Sequence, residues 1–173
     1  MMPRDRPSVW ASIAVAVLLA GCAGAGRPEP QPFPRATPRG PADSSLVTSD
    51  VGEEIVRTAL DLRGAPYAFG GSDPRGFDCS GFVQFVYGRH GVRTPREVSD
   101  LFRAGSPLPL DRLQPGDLLF FRTTSRGASH VAISLGDRRF VHAPSTTGVV
   151  RVEDLDVTYW ARRLLSARRL ATD

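Results

Sequence analysis

The segment SHVAISLGDRRFVHA, residues 129–143, constrains the fold more than any other stretch of the chain. Apolar residues dominate its two halves, Ser129–Leu135 and Arg139–Ala143, and Gly136 and Asp137 between them form a turn signal. The segment therefore predicts two extended strands joined by a short turn. Strands connected in this way pair antiparallel.

Each predicted strand of this hairpin carries one histidine, His130 in the first and His142 in the second. A turn centred on Gly136 with an odd number of loop residues places these histidines opposite each other, with Cβ atoms about 5 Å apart on one face. A loop of two or four residues shifts the pairing by one position and sends them to opposite faces. The sequence permits either arrangement.

Further extended runs flank the hairpin, at Asp117–Phe121, Val149–Val152 and Leu164–Leu170. The last run carries paired arginines and also suits a helix. Upstream, the glycine-rich stretch Tyr67–Phe77 contains a proline and predicts an irregular loop.

Helical spacing precedes the strands in the chain. The apolar residues Val51, Ile55, Val56, Ala59 and Leu60 predict a first helix, with Ser49 or Asp50 as its N-cap and with Gly64 and Pro66 ending the pattern. A second helix is predicted over Asp78–Tyr87, with Asp78 as its N-cap, and a third, short one over Pro95–Arg103. Because helices come first and strands follow, the order predicts an α+β architecture, with N-terminal helices packed on one side of an antiparallel β-sheet.

The first turn of the second predicted helix carries Cys79. The positive end of the helix dipole and its free amides stabilise a thiolate, so this position is expected to lower the thiol pKa. A nearby imidazole can take the thiol proton and later protonate a leaving amine. His130 suits that role, and His142 can orient it. A carboxylate beside a thiolate raises the thiol pKa, so Asp78 is assigned to capping or to a cationic group of a substrate.

Composition and charge exclude several classes of protein. The chain has 173 residues, 41% hydrophobic and 23% charged, which is typical of a globular protein. Its basic residues, 22 arginines against 18 acidic residues, leave a formal charge of +4 and indicate a mixed surface rather than a nucleic-acid-binding one.

The arginine pairs 162–163 and 168–169 are interpreted as solvated. His90, near a helix end, is interpreted as a surface residue or a partner of the helix C-terminal dipole rather than as a ligand.

The two cysteines, Cys22 and Cys79, exclude a disulfide framework and a four-ligand structural zinc site. No cofactor or metal is expected. A zinc site formed by Cys79, His130 and His142 stays open as a poorer alternative.

The N-terminus has the pattern of a secretory signal. Charged residues precede an apolar run over Val9–Ala20, and its roughly 12 residues are too few for a permanent membrane span. The following Leu19-Ala20-Gly21-Cys22 resembles the lipobox of bacterial lipoproteins, which implies cleavage after residue 21 and acylation of Cys22, palmitate included. The alternative is an ordinary cleavage site with an incidental cysteine. Residues 22–45 contain six prolines and predict a linker, and residues 46–173 form the predicted catalytic domain.

Five spaced motifs carry a family resemblance. They are Tyr67-Ala68-Phe69-Gly70-Gly71, Asp78-Cys79-Ser80-Gly81-Phe82-Val83, Pro115-Gly116-Asp117-Leu118, Ser129-His130-Val131-Ala132-Ile133 and Phe140-Val141-His142-Ala143. Together they resemble the NlpC/P60 family over roughly Glu53 to Leu170. The resemblance implies a papain-like α+β fold and a cell-wall peptidase that cuts peptidoglycan stem peptides, commonly between γ-linked D-glutamate and a diamino acid. It also implies Cys79 as nucleophile, His130 as base and His142 as the orienting residue.

The same resemblance implies further site residues. Tyr67 is expected to stabilise the oxyanion together with the Cys79 amide, and Asp78 and Ser80 are expected to contact the substrate. Leu101 stands where relatives often carry glutamine, which leaves the subsite in question.

The expected protein is a lipid-anchored cysteine endopeptidase whose partners are peptidoglycan peptides and, through the lipid, a membrane. Ala23 after the lipidated cysteine favours the outer membrane, facing the periplasm. Two alternatives are an acyltransferase or amidase of the same fold and a noncatalytic wall-binding lipoprotein. The sequence does not indicate an oligomeric state.

Overall fold

A computed structural model describes residues 44–124 and 127–171. In this part of the chain the elements are α1 (Ser44–Asp61), β1 (Ser72–Asp73), β2 (Gly76–Phe77), α2 (Cys79–Gly88), α3 (Val98–Ala104), β3 (Ser106–Leu108), a 3₁₀ turn (Leu110–Arg112), β4 (Leu118–Phe121), β5 (His130–Gly136), β6 (Arg139–His142), β7 (Arg151–Asp154), α4 (Thr158–Ala161) and β8 (Leu164–Arg169). The predicted signal segment, Cys22 and the linker through residue 43 lie outside the described residues. None of the helices within these ranges is both long and apolar enough to span a membrane.

Six of the strands form one antiparallel sheet, in the order β3-β8-β4-β5-β6-β7. Leu118 and Phe120 of β4 face a core that α1, α2 and α3 complete, whereas Leu119 and Phe121 face a second core that contains Trp160 of α4. The predicted α+β architecture is confirmed. The predicted N-terminal helices do pack on one side of the sheet, whereas α4, a C-terminal helix that the sequence analysis did not predict, packs on the other face.

The helices largely follow their predicted positions. Along α1, Val51, Ile55 and Ala59 recur every four residues and face the first core. The helix begins at Ser44, so the prediction that Ser49 or Asp50 caps its start is wrong. The third predicted helix begins later than expected, at Val98.

The predicted strands all form, and the segment Leu164–Arg169 is a strand rather than a helix. The stretch interpreted as an irregular loop contains β1 and β2, which pair through Ser72 with Phe77 and through Asp73 with Gly76. Each of these strands has only two residues, which is too few for an alternation of apolar and polar residues to be recognised in the sequence.

The turn before β4 packs against α1 and is hydrogen-bonded to α2 and β8. Gly116 has a φ of +85°, and a side chain there would overlap the backbone of Gly52 in α1. The hydroxyl of Tyr87 donates to the carbonyl oxygen of Gly116. Asp117, which is 2% exposed, accepts hydrogen bonds from Arg169 Nε and Nη2 at 2.7 and 2.8 Å. This bidentate pair holds β8 against the turn.

The arginine pairs interpreted as solvated are only partly so. Arg169 bonds Asp117, and Arg168 places its guanidinium carbon 3.8 Å from the centre of the Phe102 ring. Arg163 stacks on Tyr159 in the same way, also at 3.8 Å. Arg162 is exposed, as expected. Guanidinium stacking of this kind leaves no signal in a sequence, because the aromatic partner comes from another element or a neighbouring turn.

Candidate active site

Cys79 is the first residue of α2, and the predicted N-cap Asp78 precedes it. The Asp78 backbone is extended, and its Oδ1 accepts a hydrogen bond from the Gly81 N–H at 2.7 Å. Gly81 lets the helix start press against the loop before β1, because a Cβ at this position would overlap the Gly71 carbonyl oxygen. The Asp78 cap and the close packing of Gly81 on Gly71 together hold the first turn of α2, which carries Cys79, in place.

The two histidines of the hairpin lie on one face of the sheet but are not directly opposite each other. Ile133 pairs with Val141, so continuing the ladder sets His142 across from Ala132, two positions beyond His130. Two residues is one side-chain repeat of a strand, so both rings still lie on the same face as diagonal neighbours. Of the two arrangements that the sequence left open, the structure has the shared face, but with the histidines diagonal rather than directly opposite.

A β-bulge produces this register. The turn has two loop residues, Asp137 and Arg138, both with positive φ, and a two-residue loop by itself sends the histidines to opposite faces. The register shifts between Ser134 and Gly136, which adds one residue to β5 and restores the common face.

The imidazole rings of His130 and His142 are in direct contact. His130 Nε2 lies 2.7 Å from His142 Nδ1, a hydrogen-bond distance. Trp160 packs against both rings, stacked on His130 at 5.9 Å between centroids and edge-on to His142 at 4.9 Å. His142 Nε2 is buried and has no hydrogen-bond partner among the described residues. The indole of α4 therefore encloses the pair on the second-core face of the sheet.

Burial lowers the pKa of both histidines. For His130 the pKa falls to about 4 because the ring is withdrawn from water. The pKa of His142 is lowered as well, by burial first and then by the charges of His130 and Arg151. Both rings are accordingly neutral at pH 7, and a neutral imidazole can accept a proton.

Burial has the opposite effect on the nucleophile candidate, because it raises the pKa of the Cys79 thiol. The backbone N–H groups of Val131, Ser80 and Cys79 lower this pKa, and the carboxylate of Asp78 raises it. The amides at the start of α2 thus act in the expected direction, but desolvation outweighs them and the net shift of the thiol pKa is upward. A neutral thiol beside a neutral imidazole is the resulting ground state.

Cys79 and His130 line one cleft of about 440 Å³. The cleft-lining residues also include Tyr67, Phe69, Gly70, Asp78, Ser80, Arg96, Thr123, Thr124, Ser129 and Ser145. His142 is not among them and lies fully buried behind His130. The structure thus brings the cysteine, one histidine, Tyr67, Asp78 and Ser80 to a single surface depression, with the second histidine as support.

Tyr67 lies at the wall of this cleft, close enough to Cys79 and Asp78 for their charges to act on it. Burial and those two charges raise the pKa of the phenol. Tyr67 therefore keeps its proton at neutral pH and can donate a hydrogen bond into the cleft.

Asp78 and Ser80 are joined by an arginine that sequence patterns did not single out as a site residue. Arg96 donates from Nη2 to Asp78 Oδ2 at 2.5 Å and from Nη1 to Ser80 Oγ at 2.8 Å. Asp78 Oδ2 also accepts the Gly70 N–H at 3.0 Å. Arg96 lies 18 residues from Asp78 in a loop before α3, so no local spacing links them.

Two other positions noted in the sequence lie away from the cleft. Leu101 is fully buried in the first core and does not line the cleft. His90 Nε2 lies 2.8 Å from the Thr58 hydroxyl and joins α1 to the end of α2. The leucine is therefore a core residue of α3 and does not alter the cleft.

A three-ligand metal site does not form here. Within residues 44–124 and 127–171, no group of three or more histidine, cysteine, aspartate or glutamate residues is placed to ligate a metal ion. The geometry does not favour zinc held by Cys79, His130 and His142. What these groups can do is move a proton from a thiol to a supported imidazole.

This arrangement, a cysteine at a helix start and a supported histidine on an antiparallel sheet that line one cleft, defines a class of mixed helix and sheet domain with a thiol–imidazole site. The chain belongs to the NlpC/P60 family, whose family model matches residues 64–169.

Individual relatives agree with this membership. The chain is 35% identical over 171 residues to murein DD-endopeptidase MepS/murein LD-carboxypeptidase of Escherichia coli K12, covering 92% of this chain and 89% of that protein. It is 34% identical over 135 residues to gamma-DL-glutamyl hydrolase of Bacillus subtilis, covering 75% of this chain and 33% of that protein. The chain therefore spans about a third of this longer relative.

A solved structure has the same fold. The protein described as similar to a lipoprotein of the NLP/P60 family, from Staphylococcus aureus, superposes with a TM-score of 0.65 at 37% identity. The match covers 72% of this chain and 42% of that one. The predicted NlpC/P60 fold is confirmed.

Proposed function

We propose that this protein is a lipid-anchored cysteine endopeptidase that hydrolyses amide bonds in peptidoglycan stem peptides by a Cys79–His130–His142 mechanism. The observation that carries the proposal is the 2.7 Å contact between His130 and His142 beside a cleft that also contains Cys79. The names of relatives, among them a murein endopeptidase and a glutamyl hydrolase, support the substrate class.

The first step transfers a proton and forms a bond. We assign the shared proton of the histidine pair to His130 Nε2, which donates to His142 Nδ1 and leaves the His130 Nδ1 lone pair for the cleft. His130 then takes the Cys79 thiol proton while Sγ attacks the carbonyl carbon of the substrate. Because burial raises the pKa of the thiol in the free protein, Cys79 needs a base to take its proton, and His130 supplies one.

The attack places negative charge on the former carbonyl oxygen. The Cys79 backbone N–H and the Tyr67 hydroxyl are the assigned donors to this oxyanion. The raised pKa of Tyr67 keeps its hydroxyl protonated, so the group is available for this role. A donor of this kind contributes about 3 kcal/mol to lowering the barrier.

Collapse of the tetrahedral intermediate breaks the carbon–nitrogen bond. His130 returns its proton to the leaving amine, and the acyl half stays on Cys79 as a thioester. Water then attacks the thioester with His130 as base, which releases a carboxylic acid and regenerates the thiol.

We assign the scissile bond to γ-D-glutamyl–diamino acid or a neighbouring peptide bond, as the family resemblance implies. Asp78, Ser80 and Arg96 form one hydrogen-bonded group on the cleft wall next to the nucleophile. We propose that this group contacts the acyl half of the substrate. Asp78 then acts as helix cap and as anchor of Arg96 at once.

The test of catalysis is digestion of purified peptidoglycan by the full chain and by its Cys79→Ala variant, followed by mass spectrometry of the fragments. We expect new fragments ending at the cut bond with the unsubstituted chain and none with the variant. An absence of fragments in both samples, with equal binding to the wall material, identifies a noncatalytic wall-binding protein. Products carrying a transferred acyl group identify an acyltransferase instead.

We also propose that Cys22 is acylated after removal of residues 1–21 and anchors the protein in the outer membrane, facing the periplasm. The lipobox resemblance at Leu19–Cys22 supports this placement. Mass spectrometry of the mature protein is expected to find an acylated N-terminal Cys22, and Cys22→Ser is expected to move the protein from membrane to soluble fractions. An unmodified N-terminus at another residue overturns the anchor.

A further inference from the structure

A second, positively charged pocket adjoins the cleft. It has a volume of about 570 Å³ and is lined by Arg122, Thr123, Thr124, Arg162, Arg163, Leu164 and Leu165. Three arginines and two threonines thus line one pocket, and no acidic residue is among its lining residues. Like charges held in one cavity repel each other, and a bound anion relieves that repulsion.

Backbone and stacking contacts hold the pocket together. The Arg122 N–H donates to the Arg163 carbonyl oxygen at 2.8 Å, which joins the end of β4 to the segment between α4 and β8. The Arg163 guanidinium lies over the Tyr159 ring and donates to the Tyr159 carbonyl oxygen at 3.0 Å. Arg163 is therefore held in position, whereas Arg122 and Arg162 are exposed and can close on a ligand.

The pocket lies on the His130 side of the cleft. In the sheet, Phe121 of β4 lies between His130 of β5, which lines the cleft, and Leu164 of β8, which lines the arginine pocket. Arg122 is the next residue in the chain after Phe121. Thr123 and Thr124 line both the cleft and the arginine pocket. These two shared threonines connect the cleft beside His130 to the arginine pocket.

The chemistry of the proposed reaction determines which part of a substrate reaches this side. His130 gives its proton to the leaving amine, so the half of the peptide that departs lies next to His130. That half carries the C-terminus of the peptide, and a free C-terminus is a carboxylate at neutral pH. Planar carboxylates accept the paired donors of arginine.

We propose that Arg122, Arg162 and Arg163 form a subsite that binds the C-terminal carboxylate of the leaving half of the substrate. This proposal rests on the proposed hydrolysis of stem peptides. It predicts that the enzyme prefers peptides with a free C-terminus. In this proposal, the residues at the end of β4 and between α4 and β8 determine which substrates the cleft prefers.

The test compares two synthetic stem tetrapeptides that contain a γ-D-glutamyl–L-lysyl bond, one with a C-terminal carboxylate and one with a C-terminal carboxamide. Calorimetric titration into the full chain carrying Cys79→Ala measures binding without turnover. We expect the carboxylate peptide to bind about tenfold more tightly, because charge-assisted hydrogen bonds to arginine are lost in the carboxamide. Raising the salt concentration is expected to shrink this ratio.

Substitutions then assign the preference to the pocket. Adding Arg122→Gln and Arg162→Gln is expected to bring the two dissociation constants within about twofold of each other, since both positive charges are removed. Adding Arg89→Gln is expected to leave the ratio unchanged. Arg89 is an exposed arginine at the end of α2, about 15 Å along the helix from Cys79. Equal binding of both peptides to the Cys79→Ala protein, or a ratio that survives both pocket substitutions, overturns the subsite.

Hydrolysis of the same two peptides by the unsubstituted chain separates this proposal from the catalytic one. Cleavage of both peptides without any binding preference supports the peptidase and rejects the subsite. A binding preference without cleavage of either peptide supports the carboxylate subsite and rejects the assigned reaction. Cleavage with a lower KM for the carboxylate peptide supports both.

Discussion

His130 Nε2 and His142 Nδ1 lie 2.7 Å apart on neighbouring strands, and Trp160 packs against both rings. One nitrogen of His130 is therefore committed to a buried partner, while the ring also lines the cleft that contains Cys79. His142 has no surface on that cleft. We conclude that His142 can act only through His130, as a positioning residue.

Removing the His142 ring should slow turnover with little effect on substrate binding. We expect His142→Ala to lower kcat about 10²-fold, because His130 loses the partner that selects its tautomer and orientation. KM should change little, since His142 does not line the cleft. The measurement is steady-state hydrolysis of a γ-D-glutamyl peptide.

A matched variant separates positioning from packing. In His142→Asn the amide oxygen can occupy the place of Nδ1, so we expect kcat to stay within about tenfold of the unsubstituted value. Urea unfolding of both variants reports the cost of the cavity. Normal kcat in His142→Ala contradicts the positioning role.

Acid should destabilise the protein through the histidine pair. Burial lowers the pKa of His130 to about 4 and also lowers that of His142, while an unfolded histidine titrates near 6.5. Below pH 6.5 the unfolded chain therefore binds more protons than the folded one, and the free energy of unfolding falls as pH falls. The contribution is complete above pH 6.5 and is lost progressively toward pH 4.

Urea unfolding at pH 7 and pH 5 measures this loss. We expect a decrease of about 2 kcal/mol for each of the two histidines, by proton linkage. The double variant His130→Gln/His142→Gln should lose most of this pH dependence while retaining contributions from carboxylates. Equal stability of the unsubstituted chain at both pH values contradicts the buried, neutral pair.

The reactivity of Cys79 should increase steeply with pH. The pKa of its thiol is raised by burial, so the thiolate is scarce at neutral pH. In a Cys22→Ser background, where Cys79 is the remaining cysteine, we expect iodoacetamide labelling to accelerate about tenfold per pH unit between pH 7 and 9. A labelling rate that is already constant below pH 7 indicates a preformed thiolate–imidazolium pair and contradicts this ground state.

Asp78 offers an internal control for that measurement. Its charge raises the pKa of Cys79, and asparagine is an equally good N-cap. Asp78→Asn should therefore label faster than the parent at pH 8 without loss of α2. An unchanged rate shows that the carboxylate does not act on the sulfur.

Two glycines in α2 should respond oppositely to alanine. A Cβ at Gly81 overlaps the Gly71 carbonyl oxygen, and neither backbone segment can move without disturbing the start of the helix. We expect Gly81→Ala to cost at least about 2 kcal/mol of unfolding free energy and to reduce turnover. Gly88 has open space around its prospective Cβ, so Gly88→Ala should be neutral or stabilising by up to about 1 kcal/mol. Urea unfolding checks both, and similar values for the two variants contradict the close approach at Gly81.

The hairpin illustrates what pattern reasoning can predict. The apolar runs and the Gly136–Asp137 turn signal predicted both strands, because these are local properties of the chain. The bulge between Ser134 and Gly136 was not predictable, since an extra residue in one strand leaves no mark in an alternating pattern so close to a turn. That one residue decides whether His130 and His142 share a face.

The sequence by itself determined the elements whose causes are local: the Asp78 cap before Cys79, the apolar repeat of α1, the order of helices before strands, and the motifs of the family. Only the tertiary structure decided the contact between the two histidines, the partner of Arg96 and the direction of the Cys79 pKa shift. The physical reason is that register and desolvation depend on atoms from distant parts of the chain. Trp160 and Val131 come to these groups only when the sheet closes on both cores.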